Sequence, residues 1–119
     1  MIILNRQRKR KMQKEARLKR EVLEILKISG IFAWNNRNVG VWDKARRKYI
    51  PAPILGISDI IGIIPPEGRF LAIEIKIKPN KPTKHQELFL EQVRKNGGIG
   101  LVIYDTGELI EWLKEIKKI

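Results

Sequence analysis

The chain has 119 residues, no cysteine, one histidine and a formal net charge of +12. That length suits one domain and leaves no room for two, and 43% hydrophobic content is enough to build a core. The lack of cysteine excludes disulfides, thiolate zinc sites and cysteine nucleophiles, and a lone His85 leaves zinc-enzyme and Ser-His-Asp designs hard to assemble.

The first helix is expected over residues 8–29. Leu18, Val22, Ile25 and Leu26 recur at three- and four-residue steps, and Gly30 stops it. Residues 1–14 form a basic extension of that helix. Residues 31–35 read as a short strand. The stretch 36–58 is basic and turn-rich, with Pro51, Pro53 and Gly56, and reads as a loop or a loosely paired hairpin. Strands follow at 59–64 and 70–77, joined by a tight connection at 65–68. After a loop at 78–82, Thr83 starts a helix that runs to about Asn96 and ends at Gly97-Gly98. Residues 99–104 form a last strand. Asp105 caps a final helix with Leu109, Leu113 and Ile116 on one face. The order α-β-β-β-α-β-α describes an α/β fold with a central mixed sheet flanked by helices.

The charge is not spread evenly. Residues 1–20 hold nine bases and one acid, Glu15, and residues 35–53 hold five bases against Asp43. The rest of the chain is close to neutral. Such clusters suit a polyanion, because they neutralise phosphates and release counterions. A membrane surface fits less well, since the basic start has too little apolar surface to embed. No run of about 18 apolar residues is present, so no spanning helix is expected. Apolar residues precede the N-terminal charges, the reverse of a secretory signal, and the expected location is the cytoplasm.

Within the apolar strand at 70–77, Glu74 and Lys76 share one face and Leu71, Ile73, Ile75 and Ile77 share the other. A charge inside a core strand needs a partner or a task. The connection at 65–68 makes the two strands antiparallel neighbours, so Asp59 at the start of one approaches Glu74 near the end of the other. Carboxylates brought together repel unless a cation or a proton sits between them. Mg²⁺ prefers oxygen ligands and needs only one or two carboxylates. Glu15 lies on the same helical face as Leu18, Val22 and Leu26, so it is a candidate third metal contact. This set suits metal-assisted phosphodiester hydrolysis, with Lys76 orienting or deprotonating a water, or stabilising charge on the phosphate.

Each residue also has an ordinary explanation. Glu74 and Lys76 could lie on a solvent-facing sheet surface. Asp59 could be a turn residue. Glu15 could pair with a base four residues away. Thr83 and Gln86 fit a capping box, yet Gln86 shares a stripe with Phe89, Leu90 and Val93 and could point back at the sheet. His85 lies off that stripe and reads as a surface residue.

The runs 56–63 (GISDIIGI) and 68–76 (GRFLAIEIK), then Thr83-x-x-Gln86 and Gly97-Gly98, together resemble the virus-type replication-repair nuclease (VRR-NUC) domain of the PD-(D/E)XK nuclease superfamily. The resemblance spans about Glu15 to the last helix and implies a restriction-endonuclease-like core. It also implies Asp59 and Glu74 as metal-binding acids, Lys76 as the catalytic lysine and a backbone carbonyl of Ile75 on the metal. Glu15 matches the helix-one glutamate, with Glu21 open under another alignment, and Gln86 matches the glutamine of the following helix. Ser58 stands where the superfamily has proline. Compact members of the family look like viral homodimers that act on branched DNA, such as four-way (Holliday) junctions, in DNA repair.

The reading is therefore a Mg²⁺-dependent DNA endonuclease in which Mn²⁺ would substitute, with no small-molecule cofactor. Candidate phosphate contacts are Arg10, Lys14 and Arg17 on the first helix, Arg37, Lys44, Arg46, Arg47 and Lys48 in the basic stretch, and Lys78 and Lys81 beyond the acid pair. Both basic segments are expected to border the acids. The rival readings are a non-catalytic nucleic-acid-binding module, a structural basic protein of a ribosome or nucleoid, and a restriction or flap nuclease.

Overall fold

A computed structural model describes residues 2–36, 40–51 and 54–117. They form α1 (Ile2–Ile28), β1 (Phe32–Asn35), β2 (Val41–Asp43), β3 (Lys48–Ile50), β4 (Ile60–Ile64), β5 (Arg69–Ile75), α2 (Lys84–Lys95), β6 (Ile99–Ile103) and α3 (Thr106–Lys117). Arg37 and Pro53 lie outside the described residues. Among the described residues no helix is long and apolar enough to cross a membrane.

The main sheet has the strand order β1-β4-β5-β6. β1 with β4 and β4 with β5 are antiparallel, while β5 and β6 are parallel, so the sheet is mixed as expected. β5 is its buried axis. Leu71, Ile73 and Ile75 turn to one side, where they meet Leu18, Val22 and Leu26 of α1 and Leu109 and Leu113 of α3. Ala72 turns to the other side with Ile61 and packs on Leu90 and Val93 of α2. Strand alternation thus sorts β5 between two cores, and Glu74 falls on the α2 side. Each fully buried Leu or Ile contributes on the order of 1.5–3 kcal/mol of transfer free energy, which holds the three layers together.

Of the two readings of 36–58, the hairpin holds: β2 and β3 pair antiparallel as a separate two-stranded sheet. Their strand formers (Val41, Trp42, Tyr49 and Ile50) are too few among turn residues and bases to have fixed the strands themselves. Three further points emerge. First, the strands of the hairpin add to the expected element order. Second, α1 begins at Ile2, with the basic extension as part of it, rather than near residue 8. Lys, Arg and Gln are good helix formers, and no Gly or Pro interrupts them. Third, Ile116 is exposed although Leu109 and Leu113 are buried, because the last turn of α3 continues past the core.

The chain between the hairpin and β4 is pinned against α2. Gly56 has φ of +77°, and a Cβ there would overlap the backbone of His85. Only glycine meets both demands. This contact fixes where Asp59 enters the sheet relative to the start of α2. Gly56→Ala should therefore cost about 1–3 kcal/mol in urea denaturation, with the transition still cooperative. A midpoint equal to that of the wild type would contradict this packing.

Candidate active site

Asp59 sits where the β4–β5 ladder runs out. The last registered pair on this side is Ile60 with Ile73, so the next inward N–H of β5, that of Ile75, has no strand carbonyl to meet. The Asp59 side chain supplies one: its Oδ2 accepts from the Ile75 N–H at 2.9 Å. Its backbone carbonyl accepts from the Asn36 N–H at 2.7 Å, which ties β1 to the same point. In a strand the N–H and C=O of one residue point to the same edge, so the Ile75 carbonyl also lies on the Asp59 side. Ser58, just before, is buried, and its Oγ has no hydrogen-bond partner.

Glu74 is 2% exposed, in the sheet face under α2. Its Oε1 accepts from Gln86 Nε2 at 2.9 Å, and its Oε2 is buried with no hydrogen-bond partner. Burial raises its pKa from 4.5 to about 8, and the neighbouring Asp59 carboxylate adds to the rise by repulsion and by bonding the proton. Lys76 and Lys19 act the other way, and both are close enough to favour the charged form. A buried carboxylate with an unmatched oxygen is costly to a fold, and such costs cluster at functional sites.

Gln86 fulfils both readings at once. Its Oε1 accepts from the Thr83 N–H at 2.8 Å, and its own N–H donates to Thr83 Oγ1 at 3.3 Å, completing the capping box. The amide nitrogen of the same side chain holds Glu74. His85 is exposed, as expected, and lies on the rim of a cleft of about 450 Å³ that is lined by Lys19, Asn35, Asn36, Asp59, Thr83 and Gln86, among others.

Glu15 faces the site but does not join the two acids. The ammonium of Lys19 stands between, 3.7 Å from Glu15 Oε1 and 3.4 Å from Asp59 Oδ1. Among the described residues no group of three or more His, Asp and Glu is arranged to hold a metal ion. Glu21 is exposed and pairs with Arg17 at 3.5 Å, so it does not face the sheet. Lys19 is the residue that the sequence pattern does not single out; its four-residue step from Glu15 is a signal for the ion pair but not for its contact with Asp59.

The bases take up different positions. Arg10 and Lys14 are exposed on α1, and Lys44, Arg46, Arg47 and Lys48 are exposed in the hairpin, where Arg46 lies 3.7 Å from Asp43. Lys78 lies 5.8 Å from the ring of Tyr104, and Lys81 is exposed. Arg37 is outside the described residues. Asn36, before the hairpin in sequence, and Leu55, after it, both line the cleft.

A mixed sheet between helices, with an acid entering one central strand and an acid and a lysine at the end of the next, defines the class: a restriction-endonuclease-like α/β core. No family model matches the sequence, and no curated protein matches it. Among solved structures the chain is similar to one described as a VRR_NUC domain, with 22% identity and a TM-score of 0.60 over 85% of this chain and 95% of that one. The chain has the fold of that domain, which is the domain that its sequence motifs resemble.

The raised pKa of Glu74 sets a pH dependence. Between about 4.5 and 8 the folded protein holds a proton that the unfolded chain has released, so stability falls as pH rises through this window and levels off above it. In EDTA, wild-type protein should lose on the order of a few kcal/mol in urea denaturation between pH 5 and pH 8.5, and Glu74→Gln should flatten most of that slope. An identical slope in both proteins would contradict the assignment.

Proposed function

We propose that this protein is a metal-dependent DNA endonuclease that hydrolyses phosphodiester bonds, with four-way junctions as its target and a homodimer as its working form. One observation carries the reading: Glu74 is buried with an unpartnered oxygen beside Asp59 and Lys76, in the fold of a VRR_NUC domain.

The donor set fits a hard divalent cation. Two carboxylates repel across a short gap, one oxygen lacks a donor, and a backbone carbonyl lies on the same side. Asp59, Glu74 and the Ile75 carbonyl would hold Mg²⁺ or Mn²⁺, and Glu15 stands one ammonium away. A bound Mg²⁺ would supply Lewis acidity toward the scissile phosphate and an acidified water. Gln86 fixes the rotamer of Glu74, and Asp59 is fixed by the Ile75 N–H. Lys76, near enough to Glu74 to favour its charged form, would orient the attacking water or take its proton. Arg10, Lys14, Arg17, Lys44, Arg46, Arg47, Lys48, Lys78 and Lys81 are the proposed phosphate contacts. Two sites related by a two-fold axis suit a four-way junction, which needs paired nicks.

The decisive assay incubates labelled four-way junction, flap and linear duplex with Mg²⁺, Mn²⁺ or EDTA. Cutting is expected with either metal, absent in EDTA and fastest on the junction. Asp59→Ala and Glu74→Ala should abolish cleavage while binding persists, and Lys76→Ala should lower the rate by about 100-fold or more. Metal-dependent cutting retained by both acid variants would overturn the reading. Neutralising Arg46, Arg47 and Lys48 together should flatten the slope of log affinity against log salt by about 2–3. An unchanged slope would remove the hairpin from the DNA interface.

A further inference from the structure

We propose that the β2–β3 hairpin is a base-stacking wing, on which Trp42 and Tyr49 hold unpaired nucleobases of a DNA strand that enters the Asp59 cleft. This rests on the reading of DNA as the substrate; a four-way junction, whose arms are paired, would engage the wing only where bases open at the crossover.

Trp42 and Tyr49 are direct cross-strand partners, so their rings stand on the same face of the ribbon. Each is 60% exposed. A two-stranded ribbon on its own is marginal in water, so exposed rings on one call for a reason. Bonds internal to the ribbon nonetheless fix its turn and one of its rings. Asp43 Oδ1 accepts from the N–H groups of Ala45 and Arg46 at 3.0 and 3.2 Å, which closes the turn. The Gly40 N–H donates to the Tyr49 hydroxyl at 3.0 Å, and any Cβ at Gly40 would overlap that ring. The Tyr49 ring is therefore locked in place while its surface stays open. That is a pre-organised platform, which loses little conformational freedom on binding.

The charge around the rings names the occupant. Lys44, Arg46, Arg47 and Lys48 crowd the tip, with Asp43 as the acid among them. Arg47 holds φ of 53°, a conformation that favours glycine, yet the position carries a cation. Cations for the backbone beside flat rings for the bases are the chemistry of single-stranded nucleic acid binding. Stacked bases of a continuous duplex hide their faces, so the rings add nothing there, and the cations act alone.

Covalent geometry limits how far the wing is from the chemistry. Trp42 is six residues beyond Asn36 on the cleft wall, so its Cα lies at most about 21 Å away. At a rise of about 3.4 Å per nucleotide, the stacked bases fall within about six nucleotides of the phosphate at Asp59.

The test uses the full chain in EDTA, so that no strand is cut, with a fluorescein-labelled 12-nucleotide oligo-dT and a fluorescein-labelled 12-base-pair duplex; because the duplex carries about twice the charge per unit length, each variant is compared with wild type on the same DNA. Fluorescence anisotropy should show that Trp42→Ala weakens single-strand binding by about 5- to 150-fold, that Trp42→Phe restores most of it, and that duplex binding changes by less than about twofold. Tyr49→Ala should act in the same direction. Single-strand binding unchanged in Trp42→Ala, or absent in the wild type, would overturn the proposal. So would an equal loss on both DNAs, which would mark Trp42 as a prop for the basic tip or as a protein-docking residue. Failure of the nuclease reading would look different: selective single-strand binding would persist with no cutting in Mg²⁺.

Discussion

The constraint on which the rest depends is the burial of Glu74. β5 has to be apolar enough to form the axis of two cores, and it also carries a carboxylate on the α2 side of the sheet. Leu71, Ile73 and Ile75 meet the first requirement on one face. On the other face only Ala72 and Glu74 are buried, and Gln86 and Asp59 are drawn in to manage the charge. The Asp59 side chain reaches β5 because the backbone ladder stops at Ile60, and the ladder stops there because the tightly docked Gly56 turn lies just upstream. A conflict at one residue thus dictates a strand end, a turn and a helix cap.

Much of this was legible in the sequence, for particular reasons. Period-two alternation gave β4 and β5 their faces, and the capping box located α2 to within a residue. The approach of Asp59 to Glu74 followed from antiparallel pairing alone. Lys19 was only partly legible: its four-residue step from Glu15 points to an ion pair, but nothing in a run of nine bases shows that it also reaches Asp59. Only a three-dimensional arrangement shows that it separates Glu15 from Asp59. The β2–β3 hairpin was half legible. Its strands are three residues each, too short for a periodicity to emerge, and its turn is built from Asp43 and Arg47 rather than from the Asn-Gly or Asp-Gly pair that announces a hairpin.

The charge distribution has a structural counterpart. α1 is 27 residues long, about 40 Å, but its first buried core residue is Leu18. Its N-terminal half is exposed and basic, and its C-terminal half is a core element. The hairpin also carries exposed bases, Lys44, Arg46, Arg47 and Lys48, at its tip.

Gln86 ties two fates together. One amide group closes the first turn of α2 through its oxygen and steadies Glu74 through its nitrogen. Fraying of the first turn of α2 would therefore free the Gln86 side chain and with it one of the bonds that steadies the Glu74 carboxyl, so the order of a single helical turn bears on the geometry of the acid pair.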